Sequence, residues 1–88
     1  MDDWTDQLAA ALGEEPLSPE ERNRLLDAAR DVAHRVERKV TPLAAFLLGS
    51  AVGRDVSAGA RRSDATAAAL ETLRSALPES GPEGGSVA

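Results

Sequence analysis

Four side chains near the middle of the chain could bind an anion or an acidic partner: His34, Arg35, Arg38 and Lys39. We call them the basic corner. They lie at the end of one predicted helix, and a second predicted helix begins at Pro42. The first amide groups of a helix have no hydrogen-bond partner within that helix, so they are free to bind an anion. Basic side chains beside such a helix start suit a phosphate or a carboxylate. The simpler alternative is internal pairing, because residues 1–17 carry five acids and no base.

The residues needed for catalysis or metal binding do not occur together in this sequence. His34 is the single histidine and there is no cysteine, which is a poor ligand set for a metal. Ser50 is flanked by Leu48 and Val52 at the positions where a nucleophile elbow needs glycine. We therefore assign no catalytic residue, no metal ligand and no cofactor, and we expect a protein that is not an enzyme.

Composition and charge exclude several other classes of function. The 88 residues carry a net charge of −5, whereas a general nucleic-acid binder needs clustered positive charge. The longest apolar run, 42–53, is well short of the roughly 20 residues that span a bilayer. The acidic start at Asp2 and Asp3 is opposite in sign to a signal peptide. We expect a cytoplasmic protein that contacts neither nucleic acid nor membrane.

Local signals predict the first two helices, at about residues 3–12 and 19–40. Gly13 stands where a left-handed residue ends a helix. Ser18, followed by Pro19 and Glu21, is the pattern of a capping box. Apolar residues then recur at helical spacing as far as Val40, which predicts one long helix with a single buried face.

The second half predicts two more helices, at about residues 42–52 and 63–76. Thr41 and Pro42 are interpreted as a second cap followed by proline. The third helix has no polar face, so we expect the other helices to enclose it, and an acidic residue at Leu47 to unfold the domain. Small residues recur every four positions along one side of this helix, where another helix could approach closely: Ala45, Gly49 and Gly53.

Together these elements predict an all-α domain over residues 1–77. The architecture is a four-helix antiparallel, bundle-like fold with the apolar third helix at its centre. Residues 54–62 form a loop of undetermined path, and residues 78–88 are rich in glycine and predict a disordered tail.

Several strings of this sequence resemble a small domain of unknown function from high-GC bacteria. They run from Trp4 to Gly13, from Leu17 to Glu21, from Ala29 to Arg38 and from Pro42 to Leu47, with Gly49 after them. Members of that family stand alone or are fused to a molybdenum-cofactor guanylyltransferase domain.

The resemblance implies an accessory role near molybdopterin-guanine dinucleotide synthesis, with the guanylyltransferase as a protein partner. The residues themselves indicate an interaction module that could also form homo-oligomers, since a chain this short gains stability from any partner. The alternative function is a small-ligand or nucleotide-cofactor binding domain that uses the basic corner.

Overall fold

The computed structural model describes residues 3–79, and within that range it contains four α-helices, one short 3-10 helix and no strand. The helices are α1 (Trp4–Leu12), α2 (Pro19–Arg35), α3 (Thr41–Ser57) and α4 (Arg62–Ala76), and the 3-10 helix spans Arg38–Val40. The predicted all-α, bundle-like class is confirmed. The predicted disordered tail falls almost wholly on residues 80–88, outside the described residues.

The local devices that set the first two helix ends are confirmed. Gly13 has a φ of 75° and donates to the Ala10 carbonyl, while Glu14 donates to the Ala9 carbonyl. This is the Schellman arrangement, which satisfies carbonyls that the helix end leaves free. Ser18 and Glu21 form the reciprocal capping box, with each backbone N–H donating to the other residue's side chain at 2.9 and 3.0 Å.

The second and third helices differ from their predicted bounds. Helix α2 ends at Arg35 instead of continuing to Val40, and the chain turns through the 3-10 helix. Thr41 does not cap α3: it has helical angles and is the first residue of that helix. Pro42 fits there because proline lacks a backbone N–H, and the N–H groups of the first helical turn have no acceptor within the helix.

Helix α3 also continues past Gly53 to Ser57, so much of the expected loop at 54–62 is helical. Gly59, with a φ of 114°, supplies the left-handed residue of the turn that follows. The final helix stops where Pro78 predicts, because Leu77 before it takes the extended conformation that a proline imposes on its neighbour.

The buried interior is small and lies where α2 and α4 meet beside α3. Its apolar members are Val32, Ala65 and Leu70, and Thr66 is buried with them. Close backbone contacts join α3 to α4 and to α2, whereas α1 makes no close backbone approach to another helix within the described residues.

The expectation that the other helices enclose α3 is wrong. Leu43, Phe46 and Leu47 expose 62%, 75% and 68% of their surface. Helices α2 and α4 cover only part of α3, and the face that carries these three residues points away from them. An acidic residue at Leu47 is therefore no longer expected to unfold the domain.

Candidate functional site

An open apolar groove of about 620 Å³ lies between α1 and α3. Helix α1 contributes Leu8 and Leu12 to its lining, and α3 contributes the small-residue stripe of Ala45, Gly49 and Gly53. Side chains of α2 and α4 complete the lining, which is mostly apolar. We call this feature the α1–α3 groove.

The two glycines of the stripe face open space in this groove. A Cβ atom added at Gly49 or at Gly53 would meet no other heavy atom within 4 Å. Small residues let a second backbone approach a helix closely, which is the property that the sequence predicts for this stripe. The stripe does line a groove, but none of the described residues packs against the two glycines.

Polar groups stand at particular places along the groove. Glu14 and Glu15, in the link between α1 and α2, line it together with Arg62 at the start of α4. Thr41 lines it at the beginning of α3, and its hydroxyl oxygen is buried without a hydrogen-bond partner among the described residues. The guanidinium of Arg62 is paired with Glu21. The carboxylates of Glu14 and Glu15 therefore give this part of the groove an acidic character.

Arg62 joins the start of α4 to the α1–α2 link and to the start of α2. Its guanidinium donates to both carboxylate oxygens of Glu21, at 3.0 and 2.8 Å. It also donates to the backbone carbonyls of Glu15 and Pro16, each at 2.8 Å. The Arg62 and Glu21 side chains expose only 23% and 12% of their surface, so solvent screens the pair less than a surface ion pair.

Sequence reasoning missed Arg62, which it placed in an unassigned loop. The residues that Arg62 binds are 41 to 47 positions away along the chain. Its neighbour Arg61 has the same chemistry but pairs weakly with Asp64 on the surface, at 3.7 Å. Nothing in the local sequence distinguishes the two arginines. The available signal was Glu21, because its capping role uses a single bond to Oε1 and leaves both carboxylate oxygens able to accept from a base, as they do from Arg62.

The Glu21→Gln variant is expected to lower the stability of the domain in a pH-dependent way. Hydrogen bonding from Arg62 lowers the pKa of Glu21 below its ordinary value of 4.5. Because the pKa of Glu21 is lower in the folded state, the ion pair adds stability above about pH 4.5. That stability is lost as the pH falls through the folded-state pKa. Glutamine can keep the capping bond but not the charge, so we expect a cost of about 1.5 to 3 kcal/mol at pH 7.

Urea unfolding of both proteins from pH 7 to pH 3 checks this expectation. The difference in unfolding free energy should shrink as the pH falls below about 4.5, because protonation of Glu21 progressively removes its ion pair with Arg62. A difference that stays constant over the whole range would contradict the role of the ion pair with Arg62.

Helix α1 is tied to α2 by Arg22. This side chain donates to Asp3 at 2.7 Å and lies 3.6 Å from the Asp6 carboxylate. The hydrogen bond from Arg22 lowers the pKa of Asp3, which also accepts from the Asp6 backbone as the cap of α1. The acids near α1 therefore pair with a base of α2, in keeping with the alternative of internal pairing. That base is Arg22, which is not part of the basic corner.

The structure places the basic corner at the end of α2 and on the 3-10 helix that follows. His34 is exposed in the last turn of α2, and Arg35 beside it donates to the Pro78 carbonyl at a long 3.5 Å. Arg38 and Lys39 are exposed immediately before α3, and Lys39 lies 3.8 Å from Glu37. Among the described residues, no acid of residues 3–17 reaches this corner.

Two further features bear on the class of site that the chain can hold. Over residues 3–79, no group of three or more potential metal-binding side chains of the His, Cys, Asp or Glu type comes together. Among the helices of that range, none is both long enough and apolar enough to cross a bilayer.

The chain matches a known protein family over nearly its whole length. Residues 1–84 match a family that is described as Domain of unknown function (DUF6457). No curated protein and no solved structure matches the chain. Because the match covers all but the last four of the 88 residues, the chain belongs to this family of domains of unknown function.

Proposed function

We propose that this domain is a non-enzymatic protein-interaction module whose α1–α3 groove binds a helix of a partner protein. The observation that carries the proposal is the open space beside Gly49 and Gly53 in a mostly apolar groove. Glycine in the middle of a helix costs about 0.5 to 1 kcal/mol relative to alanine. A helix that keeps two of them on one face is suited to close contact with another backbone.

The lining of the groove favours one kind of partner helix. Its apolar walls suit an amphipathic helix with small or branched side chains at positions i, i+3, i+4 and i+7, which is a common mode of recognition. The carboxylates of Glu14 and Glu15 favour a lysine or arginine on the part of that helix nearest the α1–α2 link.

The resemblance to domains that are fused to guanylyltransferases supports a more specific partner. We propose that the partner helix belongs to a molybdenum-cofactor guanylyltransferase, and that this chain is an accessory module of molybdopterin-guanine dinucleotide synthesis. Fusion of related domains to an enzyme does not indicate a catalytic mechanism for this domain. The role that we propose for it is therefore binding only.

The Gly49→Leu variant is expected to block the groove without unfolding the domain. The added side chain meets open space, and leucine favours the helix over glycine by several tenths of a kcal/mol. Calorimetric titration with a molybdenum-cofactor guanylyltransferase should show binding by the wild-type chain and at least a roughly tenfold weaker affinity for Gly49→Leu.

A matched control is Ala67→Leu, an exposed position on α4 outside the groove lining. It adds a leucine to a helix in the same way and should leave the affinity unchanged. Equal binding by Gly49→Leu and wild type would show that the groove is not the contact surface. An enzyme that releases no heat with the wild-type chain would contradict the proposed partner.

A further inference from the structure

Helix α3 has a second apolar surface, which points away from the other helices. Leu43, Phe46 and Leu47 share this face at the spacing i, i+3 and i+4, and each is exposed by more than half. At about 100° per residue, they lie opposite Val52 and Leu48, which are partly buried. We call these three residues the α3 outer face. It is distinct from the α1–α3 groove, whose lining includes none of them.

The α3 outer face is uncharged as well as apolar. Helix α3 carries no Asp, Glu, Lys or Arg between Thr41 and Gly53, although the chain as a whole has a net charge of −5. Two copies of an acidic chain repel each other wherever acidic surfaces meet. The α3 outer face is a place where two copies can approach without bringing like charges together.

We propose that the α3 outer face binds the same face of a second copy of this chain, with the two α3 helices antiparallel about a two-fold axis near Leu47. A two-fold contact needs one patch that complements itself, and Phe46 and Leu47 near the axis provide it. Aromatic side chains, phenylalanine among them, are enriched at the cores of protein contacts.

The antiparallel arrangement follows from the charges at the two ends of α3. This helix has 17 residues and is about 25 Å long. Arg38 and Lys39 precede its N-terminus, so in an antiparallel pair they come level with the C-terminal end of the partner's α3. The helix dipole makes that end negative, and Asp55 lies in its last turn beside Arg54, so the partner's Arg38 and Lys39 meet a carboxylate there as well as a cation. A parallel pair would instead bring both basic segments together.

The size of the patch sets the strength of the dimer. Stable interfaces bury about 800 Å² on each partner, and three side chains cannot supply that much. The dimer is therefore weak and depends on protein concentration. Sedimentation equilibrium of the full chain between about 10 µM and about 1 mM covers the range expected for such a contact.

The experiment compares the wild-type chain with Leu47→Asp and with Phe46→Ser. Wild type should shift from monomer to dimer as concentration rises, and both variants should raise the dissociation constant at least about tenfold. Because both positions are exposed, circular dichroism should show the helical content of wild type, and either variant alone is sufficient if the other loses it. The matched control is Leu26→Asp, an exposed leucine on α2, which should dimerise like wild type.

Two results would overturn the proposal. One is a wild-type chain that stays monomeric at every concentration. The other is a dimer that the folded Leu47→Asp or Phe46→Ser variant forms as readily as wild type, or that Leu26→Asp weakens equally. Neither result bears on the α1–α3 groove, because the variants leave its lining unchanged.

Discussion

The Leu70→Ala variant is expected to lose about 2 to 5 kcal/mol of unfolding free energy, because it removes buried methyl groups and leaves a cavity. Leu70 is 4% exposed and is the largest side chain among the buried residues. Domains of this size have a total stability of about 5 to 15 kcal/mol, so the loss is a large share of it. Thermal and urea unfolding followed by circular dichroism measure the change, with an expected fall in melting temperature of roughly 10 to 30 °C.

Leu26→Ala is the matched control, since it makes the same chemical change at a side chain that is 57% exposed. It should cost less than about 1 kcal/mol, as most exposed substitutions do. If the two variants lost the same amount of stability, the interior would not lie where α2 and α4 meet.

The second large effect is expected for Arg62→Ala. This change removes four hydrogen bonds and leaves the poorly exposed Glu21 carboxylate without its counter-charge. The expected cost is about 2 to 3 kcal/mol, between the values for exposed and for fully buried pairs. Urea unfolding measures it, and hydrogen exchange should show faster exchange in the α1–α2 link, whose carbonyls Arg62 holds.

Arg61→Ala is the control for this prediction, because the adjacent arginine is 81% exposed and makes only a 3.7 Å ion pair with Asp64. It should cost no more than about 0.5 kcal/mol. Arg62→Lys should behave more like Arg62→Ala than like wild type, since an ammonium group cannot donate in the planar fork geometry that two carboxylate oxygens and two carbonyls require. Similar losses for the two alanine variants would contradict the network.

Much of the secondary structure could be predicted because its causes are local. Ser18 and Glu21 are three residues apart, and they cap α2 through atoms that this short spacing brings together. Gly13 and Pro78 act through their own backbone preferences, which do not depend on distant residues. The prediction at Thr41 was wrong because two preferences compete there. Thr41 before proline favours extended angles, yet it lies within the first turn of α3.

The candidate site was only partly predictable. Its small-residue stripe follows from the spacing of Ala45, Gly49 and Gly53, and these residues do line a groove. The sequence does not show that α1 stands away from them, nor that Leu12 lies across an open space from α3. Those facts depend on the direction in which the α1–α2 link leaves α2.

By itself, the amino-acid sequence determined an all-α class, the positions of most helix ends and a third helix without charge, because capping, backbone preference and hydrophobic period act over a few residues. Tertiary structure alone decided which face of α3 is covered, where the groove opens and that Arg62, not Arg61, holds the link. Each of these depends on residues that are distant in the chain and adjacent in space, and the apolar pattern of a helix does not state which of its faces a neighbour will cover.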